Sequence, residues 1–157
     1  MNLLYICTWN IFRSMSAEYL TREYLNESQI NWINVSSAGT VANIEEPFPT
    51  TVQRLNHYNC DPTPHHQTRV TREVLADKDI VICMSEHHRT VVRALWYDAV
   101  LFNEIAYDKT EDLMDDAEYQ EKYWIQNDLW PYIIKIVDYI HDGIPLIIEN
   151  IQKNTTP

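Results

Sequence analysis

The chain has 157 residues, 45% hydrophobic and 22% charged, which suits one soluble domain, residues 1–157, large enough to fold without covalent staples. Twelve Lys and Arg against 23 Asp and Glu give a net charge of −11 with no basic cluster, which excludes a nucleic-acid interface and a polybasic membrane anchor. Two glycines, Gly39 and Gly143, stand where average usage gives about eleven, so a G-x-G-x-x-G loop and a Walker A loop are excluded.

In chain order, Leu3 to Ile6 is a short apolar run that reads as a first strand. Ser14 to Leu25 carries Ala17, Leu20 and Tyr24 at helical spacing. Ile33-Asn34-Val35 predicts a second strand, and Pro49 opens a helix bearing Val52 and Leu55. A short helix over Thr71 to Ala76 precedes Ile80-Val81-Ile82-Cys83-Met84, an unbroken apolar run that suits a strand buried on both faces. Glu86 to Leu95 reads as helix and Val100-Leu101-Phe102 as another strand. From Asn103 to Asp128 nine acids meet two bases, Lys109 and Lys122, so a long acidic surface loop is expected. Pro131 then opens an apolar helix through Ile133, Ile134, Ile136, Val137 and Ile140. Asp142-Gly143-Ile144-Pro145 is expected to interrupt or kink it before Leu146 to Ile151 continues helical. Such β-α-β alternation implies an α/β fold with a parallel sheet covered on both faces and a ligand at the carboxyl ends of the strands.

No apolar run approaches the roughly 18 residues of a spanning helix. Met1 to Ile6 lacks the basic and long apolar regions of a signal peptide. Three cysteines, Cys7, Cys60 and Cys83, in a chain without an export signal point to reduced thiols and a cytoplasmic location.

The chemistry concentrates where the first strand ends. Cys7-Thr8-Trp9-Asn10-Ile11-Phe12-Arg13-Ser14 places a thiol, five spacers, an arginine and a hydroxyl on a strand-to-helix turn. A loop there can point backbone N–H groups inward as an anion nest, and the helix N-terminus adds roughly half a positive charge. Arg13 supplies a fork that matches two phosphate oxygens. The same field favours the thiolate of Cys7, so one loop would bind a phosphate dianion and aim a nucleophile at it. Expulsion of an alkoxide or phenoxide also needs a proton donor, and the acidic stretch offers Asp115-Asp116-Ala117-Glu118-Tyr119.

These residues make the chain resemble the low-molecular-weight protein tyrosine phosphatases. The matching motifs run in order along nearly the whole chain. They are Cys7 to Ser14 with Ala17-Glu18; Ser36-Ser37-Ala38-Gly39-Thr40; His65 or His66 with Arg69 and Thr71; Asp79 to Met84; and Asp116-Ala117-Glu118-Tyr119. The resemblance implies a four-stranded parallel sheet with helices on both faces and the phosphate loop between the first strand and first helix. It implies hydrolysis of phosphotyrosine in proteins, with Cys7 as nucleophile, Arg13 on the equatorial oxygens and Asp116 as general acid and base. Thr8, Trp9, Asn10, Ile11, Phe12, Ser14 and Tyr119 would bind phosphate and substrate, Ser14 also steadying the thiolate. Asn10, Ser37 and His65 would hold the loop's shape, with His66 the competing histidine and Asp115 the competing acid. No metal or other cofactor is required. The implied partner is a phosphotyrosine-bearing protein, a tyrosine kinase among the candidates, and the implied assembly a monomer or weak dimer without nucleic acid or membrane.

Departures from the family pattern carry their own expectations. Trp9 stands where the family has glycine and would be strained if that position needed a positive φ, which Asn10 tolerates better. Met15 and Ala117 replace prolines, the second loosening the acid loop. Asn43 stands where the family carries an aromatic pocket wall, and Trp9 is expected to supply that wall instead. Cys83 reads as core and Cys60 as an exposed loop thiol, without the short spacing of a thiol relay for arsenate reduction. His57, His66, His87, His88 and His141 read as surface or structural. A phosphotyrosine-binding module with impaired turnover is the alternative reading, and a thiol-dependent arsenate reductase a lesser one.

Overall fold

The computed structural model describes residues 1–43, 45–123 and 128–155. Strand β1 (Asn2–Cys7) leads through the loop into helix α1 (Arg13–Glu27), and β2 (Asn34–Gly39) is followed by α2 (Pro49–His57) and α3 (Arg72–Leu75). Then come β3 (Ile80–Cys83), α4 (Glu86–Ala94), β4 (Val100–Leu101), α5 (Phe102–Tyr107), α6 (Asp116–Tyr123) and α7 (Trp130–Thr155). The sheet has four parallel strands in the order β2-β1-β3-β4. β1 is therefore flanked on opposite sides by the strands that follow it, which puts the topological switch point at its carboxyl end, at Cys7.

Alternation along β1 divides the core. Leu3, Tyr5 and Cys7 face the side packed by α1, α2, α5 and α7, through residues such as Leu20, Leu55, Phe102 and Ile140. Leu4 and Ile6 face the other side with Val81, Cys83, Leu75, Val92 and Leu101. Cys7 and Cys83, close in register because Ile6 pairs with Cys83, thus lie on opposite faces.

Four local expectations are corrected. β2 extends past Val35 through Ser36, Ser37 and Ala38 to Gly39, because its small residues pair in register with Leu4 to Cys7. The acidic stretch holds two helices as well as loop. Glu104 accepts the Leu101 N–H at 2.9 Å and pairs with Arg89 at 2.7 Å, which fixes the start of α5, and left-handed Asp108 (φ 55°) ends it. Asp116 and Glu118 occupy the first turn of α6, where acids favour a helix N-terminus, and the Asp115 N–H donates to Glu118 at 2.9 Å. α7 runs through Pro145 unbroken, since the buried row Ile140, Ile144, Ile147 and Ile148 holds both halves against the core. Cys60 is buried, its thiol donating to the Tyr19 carbonyl at 3.5 Å, and burial pushes that thiol up to about 12.

Candidate active site

The loop from Cys7 to Ser14 is shaped by Asn10. Its φ of 60° is the left-handed turn that lets the chain fold back, while Trp9 lies outside that region and carries no such strain. Every polar group of the buried Asn10 side chain is used. Nδ2 donates to Ser14 Oγ at 3.0 Å and to Ser37 Oγ at 2.7 Å, and Oδ1 accepts the Thr68 N–H at 2.9 Å. Ser37 in turn donates to Glu18 of α1. The Asn10 carbonyl accepts from His65 Nε2 at 2.7 Å, which makes His65 the histidine at the loop; His66 is exposed. Burial lowers the His65 pKa, and the Asn10 carbonyl only partly offsets that. Gln67 adds a bond to the Trp9 carbonyl at 2.7 Å. Thr71 caps α3 and Arg69 bridges Gly39 by backbone, so neither side chain enters the network.

Gly39 closes the loop from the other side. A Cβ there would stand 2.6 Å from the Thr8 carbonyl oxygen and 3.1 Å from the Asn10 nitrogen. The strand end and the loop touch backbone to backbone, which only glycine permits.

At the centre, Cys7 Sγ lies 2.9 Å from Ser14 Oγ and accepts the Asn10 N–H at 3.3 Å. Ser14 can therefore donate to a thiolate. Thr8 meets His88 Nε2 at 3.0 Å, and His88 Nδ1 meets Ser85 at 2.8 Å. His88, grouped by its sequence with the surface or structural histidines, is buried under the loop, and burial together with the Arg13 charge lowers its pKa to about 3. It is a neutral imidazole there.

A cavity of about 100 Å³ opens over the sulfur, lined by Cys7, Trp9, Ile11, Phe12, Glu45, Phe48, Asp116 and Ala117. Phe48 and Glu45 were not signalled by any motif: Phe48 stands edge-on to Phe12 at 6.2 Å and shares the cavity lining with Trp9. Tyr119 is elsewhere. Its ring stacks on Tyr132 at 3.8 Å, and Tyr132 Oη donates to the Met114 carbonyl at 2.6 Å. Tyr119 thus props the acid loop instead of lining the pocket.

Arg13 is buried and held by that same loop. Nη1 donates to the Leu113 carbonyl at 2.6 Å and Nη2 meets Asp115 Oδ2 at 2.6 Å, while Nε is buried without a hydrogen-bond partner among the described residues. The Leu113 N–H bonds the Met84 carbonyl at 2.8 Å, tying the loop to the end of β3. The adjacent carboxyls are driven apart. Burial raises the Asp116 pKa to about 7, assisted by the hydrogen bond and charge of Asp115. Burial acts upward on Asp115 too, but the Arg13 guanidinium and the Asp116 hydrogen bonds outweigh it and hold Asp115 below its ordinary value. Among the described residues no three His, Cys, Asp or Glu side chains gather as a metal-ligand group, and no helix is long and apolar enough to cross a membrane.

Comparison with known proteins identifies the family and the fold. Residues 2–154 match the family model described as low molecular weight phosphotyrosine protein phosphatase. A phosphatase of that name from Sus scrofa is 33% identical over 88 residues, which are 54% of this chain and 55% of the relative. A protein-arginine-phosphatase from Bacillus subtilis is 28% identical over 93 residues, 59% of this chain and 61% of the relative. The chain thus spans less than two thirds of each of these relatives. Among solved structures, a low molecular weight phosphotyrosine phosphatase from Vibrio cholerae superposes with a TM-score of 0.82 at 20% identity, covering 99% of both chains. The YwlE arginine phosphatase from Geobacillus stearothermophilus does so at 0.78 and 17% identity, over 98% of this chain and 94% of that one.

Proposed function

The chain belongs to the low molecular weight phosphotyrosine protein phosphatase family, and from that premise we propose that it hydrolyses phosphotyrosine in proteins through a cysteinyl-phosphate intermediate. One observation carries the reading: Cys7 and Asp116 line a single cavity, a thiol at its floor and a carboxyl that burial keeps protonated up to about pH 7 at its wall.

In the first step Cys7 Sγ attacks phosphorus and the P–O bond to tyrosine breaks. Asp116 passes its proton to the departing phenolate oxygen. Arg13 and the loop N–H groups take up the charge that builds on the equatorial oxygens. In the second step water attacks the phosphocysteine, Asp116 recovers a proton from it, and phosphate leaves as the thiolate re-forms. Ser14 steadies that thiolate; Asn10, Ser37 and His65 keep the loop in shape. The chemistry calls for no metal or other cofactor. The partner is a phosphotyrosine-bearing protein, such as a tyrosine kinase, met in the cytoplasm.

Trp9, Ile11, Phe12 and Phe48 favour a flat aryl ester over a guanidinium. Glu45 in the same cavity supports a second reading, phosphoarginine, whose cationic group a carboxylate would hold. Hydrolysis of phosphotyrosine and phosphoarginine peptides, measured with chelator present for the wild type and Cys7→Ser, separates these. The expected result is faster release from phosphotyrosine, abolished in a folded Cys7→Ser protein. Binding without release by the wild type would make the protein a phosphotyrosine-binding module.

A further inference from the structure

We propose that Asp115 is the positioning residue of the phosphate-binding arginine, so that the two adjacent carboxylates of the acid loop have divided the work. This rests on the family reading of the site and adds a role to it.

The division is visible in where the two side chains sit. Asp116 lines the cavity above Cys7 and Asp115 does not; Asp115 is turned to Arg13 Nη2 at 2.6 Å. Asp115 is also nearly enclosed, with 13% of its side chain exposed. It makes a built ion pair with a buried guanidinium, unlike the solvated pairs on the surface of the chain.

The hydrogen inventory of the guanidinium shows what the pairing is for. Arginine has five N–H donors in a rigid plane. Asp115 occupies one on Nη2 and the Leu113 carbonyl one on Nη1. The Nε–H is buried and unclaimed by the described residues, and the second Nη2–H has only Thr8 Oγ1, at a long 3.4 Å. The edge formed by Nε and Nη2 is the fork that takes two oxygens of a phosphate. Asp115 and Leu113 therefore hold Nη2 and Nη1, and leave the Nε–H, beside the Nη2–H that Thr8 engages only at long range, for the ligand. A buried donor that no described protein group claims is free to meet a ligand oxygen.

The grip comes from the acid loop, and its consequence is coupling. The Leu113 N–H is fixed to Met84 and the Asp115 N–H to Glu118, so the segment that aims Arg13 also carries Asp116. The loop position that presents the proton donor is the one that presents the arginine fork.

An opposite role for Asp115 predicts the opposite sign. If its carboxylate stood in the phosphate's place, removing it would strengthen phosphate binding. The test is titration of inorganic phosphate, by calorimetry, into the full-length Cys7→Ser protein with Asp115 intact or changed to Asn or Ala. Affinity is expected to fall roughly tenfold or more, further for Asp115→Ala than for the near-isosteric Asp115→Asn. Unchanged or tighter binding by both variants, shown folded by circular dichroism, overturns the proposal.

A kinetic readout in the Cys7 background separates this failure from failure of the Asp116 assignment. With Asp115→Asn the ratio of phenyl phosphate to p-nitrophenyl phosphate turnover is expected to stay that of the wild type while KM rises. A selective loss of phenyl phosphate turnover would instead make Asp115 the proton donor and overturn both assignments.

Discussion

At the residue scale, two neighbouring aspartates acquire different chemistry from their surroundings alone. Asp116 is held up to about 7 by burial and by its neighbour, and Asp115 is held down by Arg13. The sign for activity follows directly. A proton donor works in its protonated form, so phenyl phosphate turnover falls as the pH rises through about 7. Asp116→Asn removes that limb of the pH profile and slows phenyl phosphate by roughly 10²-fold or more. It slows p-nitrophenyl phosphate far less, because that leaving group needs little protonation. Steady-state kinetics of both esters from pH 5 to 8 would measure this; equal losses would exclude Asp116 as the donor. Sequence alone offered both acids, since the neighbour that tells them apart, Arg13, is about a hundred residues away and nothing in the local pattern records which carboxylate it holds.

At the element scale, the end of β2 decides whether the loop can form. Gly39 has no room for a Cβ beside the Thr8 carbonyl, where backbone cannot swing aside as a side chain would. Gly39→Ala is expected to cost about 1–3 kcal/mol, lowering the melting temperature, and to displace Thr8 and Asn10 enough to cut kcat/KM on aryl phosphates. A calorimetric melt with parallel kinetics checks both; a variant with wild-type stability and activity would show that the contact relaxes freely. Much of this element order was legible. β1, β3 and α1 announce themselves by apolar runs and helical spacing, and the motif from Ser36 to Thr40 located the glycine. The strand around it was read too short, because Ser36, Ser37 and Ala38 carry no β-branched apolar signal and earn their place by pairing with β1. α5 and α6 were hidden by charge: acids that look like loop solvation are capping and first-turn residues. Pro145 misled in the other direction, since the buried isoleucines on both sides of it outweigh one missing helical bond. Phe48 and Glu45 were invisible for a further reason: a pocket wall contributed from across the fold leaves no spacing to read.

At the scale of the whole molecule, a net charge of −11 surrounds the site proposed to bind a dianion. The Arg13 guanidinium and the loop supply attraction at contact, while the long-range field repels acidic substrates and draws basic ones. Phosphotyrosine peptides flanked by Lys or Arg are expected to show KM values several-fold below those flanked by Asp or Glu at about 10 mM salt. The gap should close near 0.5 M salt, where the Debye length is only a few ångströms; a gap indifferent to salt would assign the preference to direct contacts. The sheet has a consequence of another kind. It stands between Cys7 and Cys83, and Cys60 is buried against the Tyr19 carbonyl, with both spare thiols pushed up to about 12 by burial. Were peroxide to convert the Cys7 sulfur to a sulfenic acid, the sheet would shield it from Cys83 and burial would keep the Cys60 thiol protonated, which disfavours an internal disulfide with either. Rescue would then fall to a small thiol entering from solvent, and without one the sulfur would proceed to the sulfinic acid and the loss would be permanent.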